Sequence, residues 1–370
     1  MKKFIYQYEN WPNFTWDASL LSAKLGEIRL RQGRILGRLD ALGFTLRRQS
    51  LVNTLADEIR HSAEIEGEKL DAEQVRSSLA RRLGIETAGM VHAGRDVEGI
   101  VEMTLDATQK YETPLTEDRL FGWHAALFPT GRSGMTKIVT GAYRTQPMRI
   151  VSGPFGKENV HYRAPEAETV PMEMRRFFDW LNGDDGTDPV LKAGIAHFWF
   201  IIIHPFDDGN GRIARAITEK LLAASDGSRD RYYSLSTRIL TERRKYYALL
   251  EKTQYSDGDI TEWLVWHIDC LLKALDDSAL ALDGVRMRAD FWDSHRETEM
   301  NVRQQRMTQR LLEEFEGKLT TAKWAKMMKC SHDTALRDIQ DMIRKGVLEQ
   351  EKSGGRSASY RLISRQGIVE

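Results

Sequence analysis

A chain of 370 residues has room for two or three hydrophobic cores, and 54 lysines and arginines against 54 aspartates and glutamates leave no overall charge to drive it onto a polyanion. Its two cysteines, Cys270 and Cys330, exclude a disulfide framework or a cysteine-rich zinc site and suit a reducing compartment. The longest apolar run, FWFIII at 198–203, is too short to span a bilayer, and the opening MKKFIYQYENW is unlike a secretory signal, so the expectation is a soluble cytoplasmic protein without membrane attachment.

Helical periodicity dominates, and the class is mainly α. The aromatic, irregular YENWPNFTWD leads into amphipathic helices over about Ala18–Leu42 and Leu46–Glu66, the second stopped by Gly67. Between about Thr136 and Ala164, β-branched residues separated by Gly, Pro and Asn predict a β-hairpin or flap. Helices resume over Pro171–Leu181, Pro189–Ile203, Gly211–Ala224, Leu240–Tyr255 and Ile260–Asp277. From about Asn301 the composition shifts, with 14 lysines and arginines against 9 acids through Glu370. There TTAKWAKMM, the turn CSHD, TALRDIQDMIRKG and VLEQEKSGGRSASYRLI predict helix, turn, helix and a two-stranded wing with Gly354-Gly355 at its tip, a winged-helix pattern. Its second helix mixes His332, Thr334, Arg337, Arg344 and Lys345 with Asp338 and Asp341. Duplex DNA, target recognition and homodimerisation all remain open for this segment.

The chemistry concentrates in HPFDDGNGRIAR. Gly209 and Gly211 flank Asn210 where a helix starts, so backbone N–H groups can converge on a phosphate. Arg212 and Arg215, three apart, can project from one helix face towards neighbouring phosphate oxygens. Asp208 offers a carboxylate suited to Mg²⁺ beside that anion, and His204, at the end of the apolar helix, suits a general base for a hydroxyl. Phosphoryl or nucleotidyl transfer follows; no GxxxxGK(S/T) is present, so the cradle is not a P-loop. Zinc held by His197, His204 and Asp208 is disfavoured, because two arginines beside a metal would be repelled. Upstream, Leu55, Ile59, Ser62 and Glu66 share one helix face, so an apolar stripe ends in a hydroxyl and a carboxylate that needs a cation.

The run resembles the signature of the Fic (filamentation induced by cAMP) family, HxFx(D/E)GNGRxxR, with His204, Phe206, Asp208, Gly209, Asn210, Gly211, Arg212 and Arg215 at every fixed position; the similarity extends over roughly Val97–Leu272. The resemblance implies a Fic-type helical bundle with a β-hairpin flap, and AMP transfer from ATP to a Ser, Thr or Tyr hydroxyl of a target protein. It assigns His204 as the base, Asp208 as the Mg²⁺ ligand, Asn210 and the loop amides to the α-phosphate, and Arg212 and Arg215 to the β- and γ-phosphates. Tyr246 and Tyr247 match a tyrosine pair lining the family's adenine pocket, with Gln254 where an Asn is often found. Val160, His161 and Tyr162 match the flap strand that borders the nucleotide and receives the target as an added strand. SAEIEG fits the family's inhibitory motif (S/T)xxxE(G/N) through Ser62, Glu66 and Gly67, with Arg215 the expected partner of Glu66. WPNF resembles a domain of unknown function found at the N-terminus of some Fic proteins.

The expected organisation is an inhibitory helical region over 1–90, a catalytic core over 91–285, a linker over 286–300 and the winged helix over 301–370. De-AMPylation and a nucleotide-sensing transcriptional regulator are the alternative functions.

Overall fold

The computed structural model describes residues 3–85, 89–152, 159–313, 315–351 and 358–363. Fourteen α-helices lie among them, with only short strands, and the chain divides into two compact units, Met1–Leu282 and Asp283–Glu370. The fold is mainly α.

In the first unit, α1 (Ala18–Asp40) and α2 (Phe44–Ile65) are followed by α3 (Ala72–Arg82), α4 (Arg95–Gln109) and α5 (Glu117–Leu127). Periodicity alone does not mark the last three, but α3 and α5 carry ordinary start signals: Asp71 accepts hydrogen bonds from Glu73 N and Gln74 N, and Thr116 accepts one from Arg119 N. The expected single hairpin is two. β1 (Arg132–Ser133) pairs with β2 (Thr136–Lys137), and β3 (Arg149–Ser152) pairs antiparallel with β4 (Asn159–Arg163), Ile150 facing Tyr162.

After α6 (Val170–Asn182), the helix α7 (Pro189–Ile203) forms the centre of the core. All of its residues from Val190 to Phe200 are buried, which is why it is apolar on every side, with only Lys192 and His197 as polar interruptions. Asp188 caps its start, with Pro189 in the first turn. The helix α8 (Asn210–Asp226) packs alongside it, and the loop joining the two carries the HPFDDGNG residues.

The expected helix Leu240–Tyr255 is broken into α9 (Leu235–Thr241) and α10 (Arg243–Thr253), because Glu242 leaves helical geometry at φ −104°, ψ 23°. The expected Ile260–Asp277 is instead α11 (Thr261–Ser294), a helix of 34 residues; no proline lies between Asp277 and Ser294, and the helix continues through Gly284. The helix α2 is anchored on α9 by Glu58, a buried carboxylate that accepts from Ser234 Oγ at 2.8 Å, from Ser236 N at 2.9 Å and from Ser236 Oγ. The N-terminal segment is fixed to the core by backbone pairing of Thr15 with Gly258 and Ile260, and by Trp11 Nε1 donating to Glu173.

In the second unit, α12 (Val302–Leu312), β5 (Leu319–Thr320), α13 (Thr321–Met328), α14 (His332–Arg344), β6 (Leu348–Gln350) and β7 (Ser359–Leu362) enclose Met307, Trp324, Ile339, Met342 and Leu348. The strands form an antiparallel sheet in the order β5-β7-β6. Gly354 and Gly355, expected at a wing tip, lie outside the described residues.

Candidate functional site

The α7–α8 connection is shaped by two left-handed residues, His204 (φ 50°) and Gly209 (φ 82°). At Gly209 a β-carbon would also lie 2.8 Å from the Phe128 ring, so glycine is required twice over. Asn210 closes the loop on itself: its Oδ1 accepts from Phe206 N at 3.0 Å and its Nδ2 donates to Phe206 O at 2.8 Å. Its amide is therefore engaged in holding the loop, and in this state its part in binding an anion is to shape the backbone. Phe206 is buried and stacks on His124, ring centroids 4.1 Å apart.

His204 is partly buried. Its Nδ1 lies 3.2 Å from the carbonyl oxygen of Ile201, which can only accept, so Nδ1 carries the proton and Nε2 keeps its lone pair. Burial lowers its pKa to about 4, so the ring is neutral near pH 7. Arg144, buried, ties the flap's base to this residue: Nε donates to His204 O at 2.8 Å and Nη2 to Pro165 O at 2.6 Å.

Asp208 is half exposed; Oδ1 accepts from Gly209 N at 2.5 Å and Oδ2 from the Ser133 hydroxyl on β1. His124, which sequence reasoning missed, orders the same loop. Gly141 N donates to its Nδ1 at 3.0 Å, which leaves Nε2 as the N–H that donates to Asp208 O at 3.2 Å. A histidine some eighty positions upstream of the motif carries no local signal of this role.

The two arginines face the end of α2. Arg215, 2% exposed in its side chain, donates from Nε to Ser62 Oγ and from Nη2 to Ser62 O and Glu66 Oε1, each at 2.8 Å. Burial works against its charge, but the Glu66 carboxylate together with Tyr246 and Tyr247 outweighs that and its pKa is raised. Glu66 also sits directly over the start of α8, where a β-carbon on Gly211 would lie 2.0 Å from Glu66 Oε1. Arg212 lies over the Phe128 ring and donates from Nη1 to Glu68 Oε2 at 2.7 Å. Among the described residues, buried Arg212 Nε and Arg215 Nη1 have no hydrogen-bond partner. Ser62, Glu66, Gly211, Arg212 and Arg215 thus converge although about 150 residues separate the two groups.

The remaining expected residues are placed less simply. Tyr246 is buried and hydrogen-bonded through its hydroxyl to His197 Nε2 at 2.9 Å, His197 in turn meeting Thr218 Oγ1 at 3.0 Å. Tyr247 is 40% exposed, its hydroxyl 3.3 Å from Ile65 O and 3.5 Å from Glu66 Oε2, so of the pair it is the one beside the site. Gln254 is buried at the end of α10, where its carbonyl accepts from Ile5 N at 2.7 Å. Val160 and His161 lie in β4, and only their backbone is described; Tyr162 is buried, its hydroxyl donating to Ile202 O.

Residues 114–222 match the Fic/DOC family, and residues 4–85 match a domain of unknown function (DUF4172). The protein adenylyltransferase Fic of Drosophila willistoni is 28% identical over 224 residues, which is 59% of this chain and 40% of that protein. The Drosophila melanogaster protein of the same name is 28% identical over 229 residues, 59% of this chain and 41% of its own length. The chain thus spans about two fifths of the length of these curated relatives. A crystal structure of a Fic family protein from Desulfovibrio desulfuricans G20 superposes with a TM-score of 0.55 at 23% identity, covering 96% of this chain and 98% of that one.

Proposed function

We propose, from the match of residues 114–222 to the Fic/DOC family, that this chain is a protein adenylyltransferase of that family held in an inhibited state by its own Glu66. One observation carries the reading. At the N-terminus of α8 the Glu66 carboxylate rests against Gly211 and engages Arg215, while Arg212 Nε and Arg215 Nη1 have no partner among the described residues. A carboxylate fills the position that suits an anion, and donors remain for a larger one.

In the reaction, His204 Nε2 accepts the proton of a target Ser, Thr or Tyr hydroxyl. The freed oxygen bonds to the α-phosphorus of ATP, the bond from that phosphorus to the bridging oxygen breaks, and pyrophosphate leaves in line. Loop amides from Gly209 to Gly211 steady the α-phosphate, and Arg212 and Arg215 bind the outer phosphates. His204 is a weak base at about 4, but a bound triphosphate favours its protonated form and brings it closer to neutral pH. Asp208 suits Mg²⁺: it is one half-exposed carboxylate, and such an ion takes few protein oxygens and completes its shell with phosphates and water. When bound, the ion supplies neutralisation of phosphate charge. Tyr247 borders the adenine and β4 receives the target as an added strand.

Intact-mass analysis of the chain and of lysate proteins after incubation with each nucleoside triphosphate tests the proposal. A gain matching AMP from ATP supports it, and gains from another nucleotide alone would reassign the base. If the wild type removes AMP from a modified protein and Glu66→Gly does not, Glu66 orients a hydrolytic water and de-AMPylation replaces transfer.

A second reading concerns the C-terminal unit, and α14 favours it. Asp338 is buried and engaged by Arg303 Nε at 2.8 Å and Asn301 Nδ2 at 2.9 Å, while Asp341 meets Lys345 at 2.6 Å and Gln304 at 3.0 Å. Asp338 and Asp341 are thus paired, Asp341 also with Arg344 at 3.2 Å, and His332, Asp333, Arg337, Gln340 and Arg344 are exposed. We propose that this face contacts duplex DNA through a winged-helix arrangement, which would make the protein a nucleotide-responsive regulator as well. Mobility shifts of the full chain should show binding that weakens steeply with salt and is lost in Arg337→Ala/Arg344→Ala; absence of binding at low salt favours protein recognition or homodimerisation instead.

A further inference from the structure

The segment after α2 is built as a turn that presents two carboxylates, and the inhibitory motif accounts for only one of them. Gly67 has φ +88°, its N–H donates to Glu64 O at 3.0 Å, and the N–H of Glu68 donates to Ala63 O at 3.1 Å. These paired bonds are those of a Schellman ending, which reverses the chain at the glycine. Glu66 and Glu68, on either side of Gly67, are thereby brought to the same helix start, where Arg212 and Arg215 lie three residues apart on α8. Each acid takes one arginine, Glu66 with Arg215 at 2.8 Å and Glu68 with Arg212 at 2.7 Å.

We infer that Glu68 is a second restraint on the site, withholding Arg212 from the triphosphate as Glu66 withholds Arg215. The inference rests on reading residues 204–215 as a nucleotide site. Arg212 is confined: its side chain is 8% exposed, it lies over the Phe128 ring with its centre 5.0 Å from the centroid, and its Nη2 is 3.9 Å from Asp208. Within that confinement Glu68 holds Nη1, while Nε has no partner among the described residues. A phosphate oxygen approaching Arg212 must compete with a carboxylate already bonded to it, and it does so beside a second negative charge on Glu66. Glu68 is 41% exposed, so releasing it costs little desolvation, and the expected restraint is weaker than that of the more enclosed Glu66–Arg215 contact.

The test measures binding and transfer separately. The full-length wild type, Glu66→Gly, Glu68→Gln and the double variant are titrated calorimetrically with magnesium and a non-hydrolysable ATP analogue, and transfer is followed with α-labelled ATP. Glu68→Gln should tighten analogue binding about three- to ten-fold. In the Glu66→Gly background it should lower KM for ATP, and adding Arg212→Ala should remove the improvement. Unchanged affinity in Glu68→Gln and Glu68→Ala overturns the inference. So does weaker binding or lower kcat in the double variant, which would make Glu68 a residue that orients Arg212 for catalysis. If no variant transfers AMP but the affinities follow the predicted order, the transfer reading fails and the second restraint stands. If Glu66→Gly transfers AMP and Glu68→Gln changes nothing, the reverse holds.

Discussion

Replacing Glu66 by Gln keeps the size of the side chain and removes its charge, which isolates what the carboxylate does for Arg215. In the wild type that guanidinium is almost wholly buried, bonded to Ser62 Oγ, Ser62 O and Glu66, with Nη1 unpartnered among the described residues. Without the carboxylate it becomes a buried cation with only neutral acceptors. Breaking a fully buried pair costs about 3–5 kcal/mol. The Glu66 side chain is 31% exposed and water can partly replace it, so about 1–3 kcal/mol is the reasonable range here. Melting of the first unit should then fall by roughly 2–10 °C. The loss should be recoverable, because a triphosphate supplies the missing anion; ligand at a hundred times its Kd adds about 2.7 kcal/mol. Differential scanning fluorimetry with and without MgATP reads both effects. The reasoning is refuted if Glu66→Gln melts with the wild type, or if MgATP raises its melting temperature no more than it raises that of the wild type.

His204→Ala should abolish AMP transfer and leave calorimetric MgATP affinity largely intact, since the loop amides and both arginines remain. Asp208→Ala should weaken magnesium-dependent nucleotide binding, with little change in binding of magnesium-free ATP; equal MgATP affinity would remove Asp208 as a metal ligand. Acid should destabilise the first unit. Burial lowers His124 and His267 to about 4 and also depresses His197, so the unfolded chain, near 6.5, binds more protons between those values. The stability these residues contribute is complete above about pH 6.5 and lost as pH falls towards 4, by up to about 3 kcal/mol for each of His124 and His267. Glu219, whose buried carboxyl is pushed up to about 7, opposes this with a single proton. Urea midpoints that do not fall between pH 7 and pH 4.5 would contradict the assignment.

The α7–α8 loop was legible because its residues are consecutive: positions 204–215 hold His204, Asp208, the Gly-Asn-Gly turn and both arginines, and the end of α7 shows its burial as the apolar run FWFIII. The Glu66–Arg215 contact spans 149 positions and was legible only through a resemblance, since a glutamate ending a helix is ordinarily solvated. Glu68 had no such signal. A charged residue after a helix-stopping glycine looks like surface, and only the turn at Gly67 together with the position of α8 gives it a partner. His124 and Ser133 reach Asp208 from other elements by tertiary packing alone. The charge of α14 was misleading for the opposite reason: the composition was right, but which side chains turn towards α12 is decided by the fold. The break at Glu242 likewise interrupts a stretch whose residue types continue to favour helix.

The most direct measurement is incorporation of label from α-labelled ATP into the protein itself and into lysate proteins by wild type, Glu66→Gly and Glu66→Gly/Arg215→Ala. The contact at 2.8 Å between Glu66 and Arg215 predicts a low wild-type signal and a gain in Glu66→Gly on the order of a hundredfold, equivalent to about 2.7 kcal/mol of restraint. The gain should vanish in the double variant, because the released arginine is the group that acts. A Glu66→Gly protein no more active than wild type, or a double variant as active as the single one, would contradict the account.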